Sequence, residues 1–312
     1  MGSSRKQLAG WVQRTPETGA TLATQLYQWA LPLLCTVLFY GLAGGLWKQA
    51  TLSAGEFCLL LVAVKLLLNP AWWACSGAPR PRMNAFLAWS LLGQVGNGVA
   101  WICYFKAFET GPAALVQTIT SAYTALTALL AVLFLKERLV GIQMLGIALV
   151  LLAGALLSSG ATGGGSGAWL AFSLGTLLSW GVATAIFKHA YAQEGANDAV
   201  FFLVNLAGMG LTLVPFGLSQ GGFPKALGLG LVVVFLYALG DLALFAAIAR
   251  GPAAIVSPLS GLYPVPTLIY SALLLHEVIS PRQWVATALL LAAIVMVVPA
   301  AENPFLRRSQ ST

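Results

Sequence analysis

The chain has 312 residues, 59% of them hydrophobic and only 8% charged, with a formal net charge of +7. A soluble domain carries about a quarter charged residues, so this composition excludes an ordinary globule in water and puts the chain in a bilayer. The basic residues are scattered between apolar stretches and form no stripe or arm, a pattern that fits membrane topology and speaks against nucleic-acid binding.

The first 25 residues are polar, include Arg5, Lys6 and Arg14, and lack the apolar core of a secretory signal, so the N-terminus is expected to stay cytoplasmic. Apolar runs then predict ten transmembrane helices, near 28–47, 56–74, 85–107, 112–135, 140–158, 167–188, 198–217, 228–249, 252–275 and 282–300. Each is long enough for a hydrocarbon core of about 30 Å at 1.5 Å per residue. With the N-terminus inside, Arg5, Lys6, Arg14, Arg80, Arg82, Lys136, Arg138, Lys188, Arg250, Arg307 and Arg308 fall on the cytoplasmic side, and only Lys48, Lys106, Lys225 and Arg282 outside. The positive-inside rule therefore predicts both termini in the cytoplasm, in a cell (inner) membrane. Cys35, Cys58, Cys75 and Cys103 lie in or beside apolar segments without CxxC spacing and read as packing residues; no metal site or cofactor is expected.

The chain repeats itself. Gly111-Pro112-Ala113-Ala114-Leu115-Val116 returns 140 residues later as Gly251-Pro252-Ala253-Ala254-Ile255-Val256, and the same offset pairs Lys48 with Lys188, Tyr123 with Tyr263, Thr127 with Thr267, Glu137 with Glu277 and Gln143 with Gln283. The expected organisation is a cytoplasmic segment 1–27, a first five-helix repeat 28–158, a Gly-rich linker 159–167, a second five-helix repeat 168–300 and a cytoplasmic tail 301–312. Five spans is an odd number, so the second repeat crosses in the opposite sense. The fold class is thus an all-α integral membrane protein of two inverted repeats, the architecture of alternating-access carriers.

Pro112 and Pro252 each follow a glycine and open an apolar helix, where a missing N–H costs nothing; Gly111, Pro112, Gly251 and Pro252 read as structural hinges of tight hairpins. Glu137 and Glu277 close helices 4 and 9, where the helix dipole disfavours a carboxylate, so each is expected to anchor to a partner at the interface. The run Ala107 to Val116, followed by Leu133-Phe-Leu-Lys-Glu-Arg-Leu139 and Gly141-Ile-Gln-Met-Leu-Gly-Ile147, resembles the EamA unit of the drug/metabolite transporter superfamily. Ala247 to Val256 with Leu273 to Ile279 resembles the same unit, although His276 and Val278 stand where Lys136 and Arg138 flank the first Glu. The resemblance covers roughly residues 28–300. It implies a basket-like bundle whose central cavity is lined by helices 3, 4, 8 and 9, with the 1/2 and 6/7 hairpins as gates and helices 5 and 10 peripheral. Relatives move amino acids, nucleotide sugars, phosphorylated sugars, choline and drugs.

Two charges fall inside spans: Lys65, about 13 Å into span 2, and Asp241, about 20 Å into span 8. An unpaired charge near the bilayer centre costs roughly 2.5 to 3.5 kcal/mol or more. Asp241 is expected to handle a proton or a cationic substrate group with Lys65 as counter-charge, the alternative being a fixed structural pair or a snorkelling lysine. Gln94, Asn97 and Trp101 share a face of span 3, as do Gln117, Ser121 and Thr124 on span 4, Tyr237 and Asp241 on span 8, and Ser257, Ser260 and Tyr263 approximately on span 9. Together they are candidates for a mixed polar and aromatic substrate pocket, with interhelical hydrogen bonding as the alternative for each alone. Asn205, Tyr40, Trp47 and Trp180 are secondary candidates. Pro264 and Pro266, with no counterparts at Thr124 and Leu126, predict a kink in span 9 that could serve as a hinge.

An intramembrane enzyme would need a second carboxylate near Asp241, and no other Asp or Glu lies at that depth. Nothing resembles the filter of a channel, and a lipid flippase remains an alternative within the same fold. The expected function is secondary active transport of a small organic metabolite, an amino-acid-like or amphipathic zwitterion, by an exporter or exchanger, with a proton or counter-substrate and membrane lipid as the other partners. The alternative substrate is a cationic drug or quaternary amine held by Asp241 and aromatic faces.

Overall fold

A computed structural model of the chain describes residues 22–47, 49–50, 52–127, 130, 141–158, 167–224, 227–250, 259–276, 278 and 280–297. Ten helices and no strand are present among these residues: α1 Leu22–Trp47, α2 Ala54–Cys75, α3 Ala85–Thr110, α4 Ala113–Ser121, α5 Gly141–Ser158, α6 Ala168–Tyr191, α7 Asp198–Ser219, α8 Gly228–Arg250, α9 Pro264–Leu273 and α10 Pro281–Val297. Six of them, α1, α2, α3, α6, α7 and α8, are long and apolar enough to cross a membrane.

Local chemistry sets several helix starts. Ser53 and Glu56 form a reciprocal capping box at α2, and Asn84 and Asn197 accept from Leu87 N–H at 2.9 Å and Val200 N–H at 3.1 Å at α3 and α7. Between α3 and α4 only Gly111 and Pro112 intervene, both extended, so the expected tight hairpin is present there. A Cβ on Gly111 would lie 2.9 Å from both the Ala107 carbonyl and the Trp169 side chain, which is why no larger residue fits this turn.

The burial pattern is that of a protein in lipid. Leu31, Leu34, Leu38 and Leu42 form an exposed stripe along α1, and Leu174, Leu178 and Val182 do so on α6, whereas Lys65, Asn69, Ser90, Gln94, Gln117 and Asn205 are fully buried. Polar groups point inward because hydrocarbon offers them no partner.

Helix pairing follows the duplication. The two most extensive pairs, α1·α8 and α3·α6, interchange when each helix is replaced by the one five later, while α2·α7, α4·α9 and α5·α10 map onto themselves. Individual hydrogen bonds repeat as well. Thr36 Oγ1 donates to Gly240 O at 3.4 Å, and Thr176 Oγ1, 140 residues on, donates to Ala100 O at 3.4 Å. Thr267 Oγ1 donates to Gly41 O at 2.8 Å and Thr127 Oγ1 to Gly181 O at 3.3 Å. The paired helices α2 and α7 run antiparallel: a Cβ on Gly55 would touch Gln220 near one end, Lys65 meets Asn205 in the middle, and Asn69 meets Phe202 toward the other end.

Spans 4 and 9 differ from expectation. Instead of one continuous helix over 112–135, α4 ends at Ser121, Ala122 is a turn, and helix resumes over 123–127. In the second repeat, turn residues 261–263 precede a helix that begins at Pro264. Span 9 is therefore broken before Pro264 rather than kinked within a helix, with Pro264 in the first turn, where its missing N–H is harmless. Because Ala122 and Leu262 are equivalent and α4 has no proline, the break belongs to the repeat, not to the prolines.

Candidate functional site

Where α2, α7 and α8 meet, Lys65 Nζ donates to Asp241 Oδ2 and, at 2.9 Å, to Asn205 Oδ1. The other oxygen of Asp241 accepts from the Tyr40 hydroxyl of α1. Lys65 is fully buried and Asp241 is 5% exposed, so each charge depends on the other for compensation. The ammonium also lies 5.7 Å from the centre of the Phe202 ring, within cation-π range.

From Asn205 the network continues across α3. Asn205 Nδ2 donates to Gln94 Oε1 at 2.8 Å, Asn97 Nδ2 to the same oxygen at 2.9 Å, and Trp180 Nε1 to Asn97 Oδ1 at 2.8 Å. Asn69 Nδ2 donates to Phe202 O at 2.8 Å and to Asn205 Oδ1 at 3.3 Å. Three buried polar atoms in this region have no partner among the described residues: Gln94 Nε2, Asn69 Oδ1 and Ser90 Oγ.

An aromatic layer adjoins the polar one. Trp101 stands edge-on to Tyr237 at 5.0 Å and to Trp180 at 5.4 Å between ring centroids. Tyr104 OH donates to Gln117 Oε1 at 2.7 Å and pairs with the Tyr237 hydroxyl at 3.0 Å, while Gln117 Nε2 donates to Tyr40 O at 3.1 Å and Thr120 and Tyr263 share a hydroxyl contact at 3.2 Å. Such a layer presents both ring faces and hydroxyls.

Of the residues expected to form the pocket, Gln94, Asn97, Trp101, Gln117, Tyr237, Asp241 and Tyr263 come together here with Lys65. Ser121 and Thr124 are buried, but their hydroxyls donate to the backbone carbonyls of Thr118 and Ser121, so they are engaged within their own segment. Ser257, Gly251, Pro252, Glu137 and Glu277 lie outside the described residues. Tyr104 and Asn69 were missed by sequence reasoning, although Tyr104 follows Trp101 by three residues and Asn69 follows Lys65 by four, which puts each on the face already marked.

The expected pocket is not an open cavity: its side chains pack on one another. A cavity of about 310 Å3 lies instead at the end of the bundle where α2 ends and α7 begins, against α8, lined by Trp72, Pro79, Asp198, Phe202, Leu242 and Phe245 among others. Phe202 separates it from Lys65. Trp72, expected to be an interface anchor, is one of its walls.

At the opposite end the bundle is closed. Trp47 stacks on Phe105 with centroids 4.9 Å apart and 7° between the rings, and both contact Phe57. Glu109, on the last turn of α3, accepts the Ala54 N–H at the start of α2 at 2.5 Å and pairs with Lys106 at 2.8 Å. The α3·α7 seam is tight, whereas the equivalent α2·α8 seam borders the cavity.

Comparison with known proteins accords with this arrangement. The EamA-like transporter family matches twice, over residues 28–159 and 167–298. A protein of Sinorhizobium sp. described as an uncharacterized transporter in the cobO 3′ region is 34% identical over 108 residues, which are 35% of this chain and 73% of that protein. A solved structure, described only as the crystal structure of a protein, superposes with a TM-score of 0.60 at 18% identity over 86% of this chain and 96% of its own, a likeness of fold alone. With two matches that together span most of its length, this all-helical, multi-pass membrane chain belongs to the EamA-like transporter family.

Proposed function

We propose that the chain is a secondary carrier that moves a small amphipathic zwitterion, such as an amino acid, across the cell membrane by alternating access, as an exporter or exchanger. Its two repeats are inverted, ten spans carry it across the membrane, and both termini are cytoplasmic. The antiparallel packing of α2 on α7 and the hydrogen bonds repeated at an offset of 140 residues support the inverted arrangement. On this reading the α2·α8 cavity opens to the cytoplasm, and transport consists of closing that seam while α3·α7 opens.

The observation that carries the substrate class is the Lys65–Asp241 pair. It is buried and neutral. A zwitterion that gives its carboxylate to Lys65 and its ammonium to Asp241 replaces one neutral arrangement by another, so no net charge has to be held in a medium that penalises it. A simple carboxylate would require a proton on Asp241. A cationic amine would have to displace Lys65 from Asp241, and the direct contact between those two side chains therefore favours the zwitterion. Trp101, Tyr104, Tyr237 and Trp180 supply the apolar wall for its side chain.

Counterflow decides the matter. Proteoliposomes preloaded with unlabelled phenylalanine are expected to accumulate labelled phenylalanine saturably, and Asp241→Asn to abolish this. Full activity of Asp241→Asn with unchanged pH dependence would remove Asp241 from coupling, and an unsaturable conductance would replace the carrier by a channel.

A further inference from the structure

We infer that Lys65 and Asn205 together form a carboxylate anchor on the local two-fold axis of the molecule, one site presented in turn to both sides of the membrane. The inference rests on the carrier reading above and adds the identity and placement of the anchoring group.

In a two-fold arrangement, residue i of one unit meets j of the other and j meets i, so a residue touches its own counterpart only where the axis passes. Lys65 and Asn205 are counterparts, 140 positions apart, and they are hydrogen-bonded at 2.9 Å. Contacts on either side of them run in opposite directions along α2 and α7, Leu59 with Gly217 toward one end and Asn69 with Phe202 toward the other. A group on the axis keeps its place when the two units exchange shapes. Asp241 and Gln94, which lie off it, acquire different neighbours. Lys65 is therefore the charge that both access states share.

The chemistry around this point is suited to an anion. Lysine brings three N–H donors, and Gln94 Nε2, fully buried and one residue removed from Lys65 through Asn205, is a further donor without a partner. Asp241 supplies the anion in this structure. A substrate carboxylate arriving past Phe202 from the cavity takes its place on Lys65, with Gln94 Nε2 as second donor, and the released Asp241 receives the substrate's ammonium. Asn69 Oδ1 and Ser90 Oγ, also unpartnered, lie one helical turn nearer the cavity, on the route in.

Because the two positions meet on the axis, a lysine from either helix delivers its ammonium to the same place. The test is the exchange of the two residues in the full chain purified in detergent. Lys65→Asn is expected to lower the melting temperature, and Lys65→Asn with Asn205→Lys to restore at least half of the loss. A double variant that melts no higher than Lys65→Asn, or that fails to fold, would overturn the axis placement.

Binding is then read by thermal shift and titration with phenylalanine, 3-phenylpropanoate and phenethylamine, and with alanine, propanoate and ethylamine, two sets alike in body and different in charge. The amino acids and at least one carboxylate are expected to bind, on the order of tenfold or more weaker in Lys65→Asn, with recovery in the double variant. The anchor is wrong if the amines bind as tightly as the amino acids, if Lys65→Asn leaves carboxylate affinity unchanged, or if no carboxylate binds. Binding without counterflow would instead refute the carrier reading and leave the anchor in place.

Discussion

Gly98 of α3 lies against Thr212 of α7 so closely that a Cβ on the glycine would come within 3.0 Å of the threonine Cβ and overlap its hydroxyl. One layer away a Cβ on Gly208 would meet the backbone of Gln94 at 3.0 Å and of Val95 at 3.1 Å. The equivalent places on the α2·α8 seam hold Ala238 opposite Trp72 and Leu68 opposite Val234. Glycines let α3 and α7 touch, and larger residues hold α2 and α8 apart beside the cavity. The bias toward a closed α3·α7 seam is thus written in the residues that differ between the repeats.

Gly98→Ala should weaken that closed seam. Overpacking costs about 1 to 3 kcal/mol, enough to shift a two-state equilibrium by roughly fivefold or more. In a chain whose four native cysteines are replaced, a Thr212→Cys probe should react with a membrane-impermeant maleimide several-fold faster when Gly98→Ala is added. Equal labelling rates would show that the glycine does not set the seam.

The buried pair makes a second, separable prediction. Lys65→Met leaves Asp241 without its compensating charge, and breaking a buried pair from one side costs about 3 to 5 kcal/mol. Lys65→Met combined with Asp241→Leu removes both charges and should recover most of the lost thermal stability in detergent. Transport should remain absent in the double variant, because the site has lost both groups that the substrate exchanges with. A transport-competent double variant would make the pair a structural element only.

Much of this was legible in the sequence because duplication leaves a one-dimensional trace: the 140-residue offset, the hairpin at Gly111-Pro112 and the face shared by Gln94, Asn97 and Trp101 all correspond to observed contacts. The contact of Lys65 with Asn205 was not legible. It depends on the axis, and an axis is a property of how two units pack rather than of either one. The closure of the central residues and the place of the cavity were hidden for a similar reason. They follow from which seam is tight, and that turns on small differences such as Gly98 against Ala238, which only the packed helices reveal.

The broken helices give a third prediction. A Cβ on Gly41 would lie 2.6 Å from Pro266, and one on Gly181 would lie 2.6 Å from Leu126, its repeat equivalent. The first repeat therefore carries a leucine in the same packing role and still breaks at Ala122. Pro266→Leu should retain the fold, with a stability change below about 1.5 kcal/mol and transport within twofold of the parent. Gly41→Leu, which pushes the same contact from the other side, should prevent folding or abolish transport. If Pro266→Leu is the more damaging of the two in melting and counterflow, the break in span 9 does depend on its proline.

Glu109 supplies a final prediction about the closed end. Its carboxylate accepts the Ala54 N–H at 2.5 Å and pairs with Lys106 at 2.8 Å, tying the last turn of α3 to the first turn of α2. The repeat equivalent is Ala249, whose methyl group offers no acceptor, so the cavity end has no carboxylate at this place to make the same tie. The ion pair with Lys106 is partly exposed and contributes little by itself. The hydrogen bond to the helix N-terminus is charge-assisted and is worth about 0.5 to 2 kcal/mol, as caps are. Glu109→Ala should therefore speed maleimide labelling of Thr212→Cys, and Glu109→Gln, which keeps an acceptor for Ala54 but removes the charge, should fall between the two. Acidification from the Glu109 side should act on the parent as Glu109→Ala does and have no further effect on that variant. Labelling of the parent that is indifferent to pH, together with a Glu109→Ala variant that labels at the parent rate, would leave the aromatic stack of Trp47 and Phe105 as the element that holds this end shut.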